Sequence, residues 1–159
     1  MLSTNRIKGE GKHMNENTAY SIWCEIIKLH KTYAAIPPTD GLGALTRDIN
    51  IMNSKYNLPF CNALTGILFD WYRVGFTGLP VDRVMEFYKD LWFLHHKYML
   101  VEDRGDEFWN GMFVEVRNLK KKYLFDMFER YIFVICDSVE LGNALCTDEV
   151  ETTNADNVG

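Results

Sequence analysis

The sequence predicts an all-α fold: a single compact bundle of about five helices with a long central C-terminal helix. Three observations carry that prediction. Apolar residues recur three and four apart through successive segments, the period of a helix with one buried face. Proline and glycine gather between those segments, at Pro37-Pro38, at Gly75 to Pro80 and at Gly105. Alternating strand patterns of useful length are absent, as are hairpin dipeptides between apolar runs.

A chain of 159 residues that is 47% hydrophobic and 14% aromatic can build its own core, and its net charge of −5 does not suit a disordered chain. Residues 1–13 lack apolar periodicity and are expected to be a disordered leader or tag. Lys8-Gly9-Glu10 can be encoded with the purine-rich AGGAG of a bacterial ribosome-binding site. On that reading Met14 is the natural start of a bacterial or phage protein. His13-Met14 also translates CATATG, a common cloning site, which is the competing origin. The helical domain is expected over residues 14–145, with a disordered acidic tail over 146–159.

The first helix is expected from Thr18 to Ala35, capped by Asn15 or Asn17 and stopped by Pro37-Pro38. Only Glu25, Lys28, Lys31 and Thr32 form its polar arc, so it is largely buried, with His30 inside the apolar arc. Pro-Pro-Thr-Asp-Gly reads as a turn. Leu45, Ile49, Met52 and Tyr56 then make one narrow stripe on a second helix, Leu42 to Tyr56. Pro59 suits the first turn of a third helix, which runs to Gly75 and buries Phe60, Leu64, Ile67, Leu68 and Trp71. A fourth helix starts at Pro80, with Asp82 in its positive first turn. Its expected buried side holds Val81, Val84, Met85, Tyr88, Leu91, Trp92, His95 and Met99, flanked by Phe87, Leu94 and Tyr98. Gly105 turns the chain, and Asp103 or Asp106 is available to cap the next helix.

From Asp106 to Leu141 runs the longest proline-free, helix-favouring and most apolar stretch, expected to pack centrally between the first and fourth helices. Phe108, Trp109, Met112, Phe113, Val116, Leu119 and Tyr123 form one stripe on it. Beyond Lys120-Lys121-Lys122 the apolar set spreads over roughly 220° of the wheel, far wider than an ordinary surface helix. Its centre moves by roughly 110°, more than supercoil drift and in the opposite sense. The two halves must therefore face different neighbours.

Sites are harder to find. Cys24, Cys61, Cys136 and Cys146 are widely spaced with no C-x-x-C, so free thiols in a cytoplasmic protein are expected, the first three in apolar helical settings where cysteine acts as a small hydrophobe. Asp126, Glu129, Arg130 and Asp137 interrupt the best apolar run, which excludes it as a membrane span. The near-balanced charge and a single short basic cluster, Arg117 with Lys120 to Lys122, argue against nucleic acid as a partner. Glu102 to Glu107 lacks the spacing of a calcium loop and reads as solvated capping residues. Phosphate-loop, nucleophile-elbow and His-Glu-x-x-His patterns are missing, and no cofactor is called for.

The leading reading is a small cytosolic, non-catalytic interaction or regulatory protein that works through helix-face contacts with a protein partner or with itself as a homodimer. Its interface is expected on the over-wide apolar arc, at Phe125, Phe128, Ile132, Phe133 and Cys136. The competing reading is a metal- or small-ligand-binding bundle, with or without catalysis, centred on His30 and His95. Against it, the residue four before His95 is Leu91 rather than an acid, so a di-iron bundle lacks its usual ligands.

Overall fold

The computed structural model describes residues 14–147, with side chains to Glu140. Among the described residues it contains six α-helices and no strand: α1 (Glu16–Tyr33), α2 (Pro38–Tyr56), α3 (Pro59–Val74), α4 (Val81–Met99), α5 (Asp106–Lys122) and α6 (Phe128–Thr147). The expectations for residues 1–13 and for the tail beyond 147 lie outside the described residues. Cys146 and Thr147, expected in the tail, still belong to α6.

Asn15 caps α1 by accepting the Thr18 N–H at 2.9 Å, which satisfies one of the free donors of the first turn. The second helix begins at Pro38, four residues before the expected start. Proline at the first helical position loses no hydrogen bond, so Thr39-Asp40-Gly41 form a first turn where the sequence predicts a loop. A Cβ on Gly41 would overlap the Tyr72 hydroxyl and come within 2.9 Å of Ile36 Cγ2. That hydroxyl donates to the Ile36 carbonyl at 2.5 Å, locking the α1–α2 corner to α3. Asn57 in the left-handed region, φ 51°, ends α2, and Gly75 at φ 123° ends α3.

On α4 the buried residues are Val84, Phe87, Tyr88, Leu91, Leu94, His95 and Tyr98. This face is rotated from the expected one: Val81 is exposed and Trp92 and Met99 are only half-buried. The cause is that α4 packs against α1, α6 and α5 together, so Phe87, Leu94 and Tyr98 are covered as well.

The long C-terminal helix does not exist as one piece. It breaks at Tyr123, whose backbone is extended at φ −123°, ψ 120°, and helix resumes at Phe128. Two apolar stripes so far out of phase cannot both face the core on one straight rod, and the break lets each half turn separately. Side chains of α4 clamp the junction. Asp90 accepts from the Tyr123 hydroxyl at 2.6 Å and from Lys122 at 2.9 Å, while Arg83 holds the Lys122 carbonyl and covers the Tyr123 ring.

Of the two pieces, α6 packs against α3 and α4, whereas α5 packs chiefly on α4 at the periphery. The expected central position thus falls to the second piece alone. Neither Asp103 nor Asp106 caps α5: Gly105 is the cap residue and makes no side-chain bond, and Asp106 sits inside the positive first turn. Arg104 closes the end of α4 instead, donating to the carbonyls of Met99 and Val101 at 3.1 and 2.8 Å and reaching the Val139 carbonyl of α6. No helix among the described residues is long and apolar enough to cross a membrane.

Candidate functional site

His30 on α1 and His95 on α4 are 1% and 0% exposed, and both enter one aromatic centre. The Trp23 indole N–H can only donate, so at 3.0 Å from His95 Nδ1 it fixes that nitrogen as an acceptor. The proton of His95 therefore resides on Nε2, which faces Ser138 Oγ of α6 at 3.4 Å. His30 Nδ1 lies 2.7 Å from the Tyr88 hydroxyl, and Tyr88 lies 3.0 Å from the Tyr131 hydroxyl. Donation from Tyr131 to Tyr88 and from Tyr88 to His30 gives each hydroxyl an acceptor.

Burial holds both imidazoles down, to about 3 in each case, with neighbouring His96 adding to the shift of His95. The same burial raises the Tyr88 and Tyr131 hydroxyls far above the ordinary phenol range. Aromatic rings pack the rest of both imidazoles: Trp71, Phe76 and Tyr88 around His30, and Trp23, Phe60 and Trp92 around His95. The two histidines are linked through Trp23 and Tyr88, whose rings lie 6.4 Å apart, and do not bond each other among the described residues. They also belong to no group of three or more His, Cys, Asp or Glu side chains able to hold a metal among those residues. Neutral, sealed and with partners on Nδ1, they form a polar seam that aligns α1, α4 and α6.

The five expected interface residues divide. Phe128 is only 3% exposed and belongs to the chain's own core. Phe125 is half-buried beneath the α5–α6 break, packing on Phe87 and Trp71 with ring centroids 5.0 and 5.5 Å away. Ile132 is half-buried against the same core. Phe133, by contrast, is 72% exposed, and with half-buried Cys136 it lines an open groove of about 270 Å³ between α5 and α6. The opposite wall is Trp109 and Phe113, and Asp137 and Glu140 complete the α6 wall. The helical period puts Phe113 on a buried stripe, yet it is 46% exposed because α5 packs chiefly on α4. The polar neighbours of Phe133 along the helix, Glu129, Arg130 and Asp137, are the sequence signal of its exposure.

A larger groove of about 370 Å³ between α4 and α5 is lined by Phe93, Leu94 and charged residues that already neutralise one another, Lys97 with Glu115 at 2.6 Å and Lys122 with Asp90 at 2.9 Å. The basic cluster is likewise half consumed, since Lys120 pairs with Glu129 and Lys122 with Asp90 and Glu86. Cys61 is buried as expected and burial pushes its thiol up to about 11, which makes it unreactive. Cys24 departs from the apolar setting expected of it and is exposed.

Compared with known proteins, the chain matches no family model, no curated protein and no solved structure.

Proposed function

We propose that the protein is a non-catalytic interaction or regulatory protein that binds through the outer faces of α5 and α6. The observation that supports this reading is the paired exposure of Phe113 and Phe133 on the two walls of one groove, with Trp109 beside them. Water-exposed aromatic surface of that kind gains free energy when another molecule covers it. The histidine seam, sealed inside the chain, offers no comparable access.

Capture with the wild-type chain and with Phe133→Glu as parallel baits tests the reading. Any protein retained by the first and lost by the second is the expected result. Equal recovery by both baits, or stoichiometric bound metal that disappears in His95→Ala, overturns it.

A further inference from the structure

We propose that the outer face of α5 pairs antiparallel with the α5 of a second copy of this chain, about a two-fold axis passing between Phe113 and Val114. The proposal rests on the interaction reading above and names its partner. Its basis is the order of exposed residues along one helix face. At 100° per residue Asp106, Asn110, Phe113, Val114, Arg117 and Lys121 fall within an arc of roughly 100°, and all six are exposed. Acid stands at one end of this stripe, apolar side chains at its middle and base at the other.

That order is self-complementary in one direction only. With the axis between Phe113 and Val114, Asp106 lies opposite the partner's Lys121, Asn110 lies opposite the partner's Arg117, and Phe113 covers the partner's Val114. Parallel pairing would instead set Lys121 on Lys121 and Asp106 on Asp106. Among the described residues no ion pair within the chain engages Asp106, Arg117 or Lys121, so these charges are available.

The second helix fits the same axis. Phe133 shares its groove with Phe113, so it stands at the level of the axis and meets its own copy there. Asp137 and Glu140 line the same groove together with Trp109, toward the acidic end of the α5 stripe. A helix of 17 residues is about 25 Å long, and a face two helices wide is about 20 Å across, on the order of 500 Å² in projection. Stable complexes bury about 800 Å² per partner, so the dimer is weak and depends on concentration.

Sedimentation of the full chain across a range from a few to several hundred micromolar is the test, with circular dichroism melts to confirm that each variant folds. Wild type should pass from monomer to dimer with rising concentration. Asp106→Lys and Lys121→Asp each place two like-charged pairs in the homodimer and should weaken it by roughly tenfold. Mixed in equal amounts, the two variants form two correct pairs and should regain wild-type affinity. Val114→Glu, on the axis itself, should abolish the dimer independently of those end charges. A monomer at the highest concentration, or a mixture no tighter than its components, overturns the proposal. If the wild type stays monomeric yet a different protein is captured in a Phe133-dependent way, self-pairing fails while the interaction reading stands.

Discussion

Rings fill the interior around Tyr88 and also line the groove beside Phe113, yet the two regions do opposite things with them. Around Tyr88 the side chains carry polar atoms, and those atoms find partners on other helices: Trp23 with His95, His30 with Tyr88, and Tyr88 with Tyr131. Along the α5–α6 groove the exposed rings are phenylalanines, which have no polar atom to satisfy. A buried tyrosine or histidine costs free energy unless its partner is in place, so such residues specify one arrangement of their helices. Phenylalanine makes no such demand and can be covered by any surface of matching shape. Partnered polar atoms on the rings mark the region committed to its own chain, and their absence marks the one open to another.

Acid should break the inner region first and hardest. Each imidazole is held at about 3 in the fold, against about 6.5 when free. Between those values the unfolded chain binds protons that the folded chain does not, so stability falls as pH falls through this window and is unaffected above it. At about 1.4 kcal/mol per pH unit for each imidazole, the pair loses on the order of 5 kcal/mol between pH 6.5 and 4.5. Urea unfolding at several pH values measures this, and a stability that stays flat over the window would show that the seam is not sealed.

Truncation sharpens the comparison along single helices. Trp23→Ala and Phe128→Ala each remove a ring from the closed core and should cost about 3–5 kcal/mol. Within the hydroxyl relay the order matters more than the size. Tyr88→Phe leaves His30 Nδ1 without its partner and should cost about 2 kcal/mol, more than the ~1 kcal/mol of Tyr131→Phe, which removes only the outer donor. Equal losses would mean that the protons run in the other direction. Smallest of all, Phe133→Ala should change the unfolding free energy of the monomer by less than about 0.5 kcal/mol, although it lies five residues from Phe128 on the same helix. A large loss there would move Phe133 into the core and erase the contrast.

Helix content and most boundaries are legible in the sequence because Pro59, Gly75, Gly105 and the apolar periods act locally. The C-terminal break is half legible. Its cause, the jump in stripe direction near Lys120, stands in the sequence, but no proline or glycine between Met112 and Leu141 marks where the helix stops. The three lysines are the available sign, since cations favour the negative end of a helix. Burial of His30 and His95 can be read from their neighbours on the wheel. Their partners cannot, because Trp23 and His95 are 72 positions apart and their meeting depends on how α1 and α4 pack. The expected interface departs from the exposed surface for a related reason: on a continuous rod Phe125 and Phe128 point outward, and the break turns them in.

Gly41 and Tyr72 impose a rule on any descendant of this chain. Because a side chain at 41 would occupy the space of the Tyr72 hydroxyl, the two positions cannot drift independently. Alanine or larger at 41 needs both the Tyr72 hydroxyl and Ile36 Cγ2 to move aside, and if the hydroxyl leaves, the Ile36 carbonyl needs another donor. Substitutions at these sites should therefore be inherited as a pair. In sequence the corner reads as a glycine three residues after Pro-Pro and a tyrosine 31 positions further on.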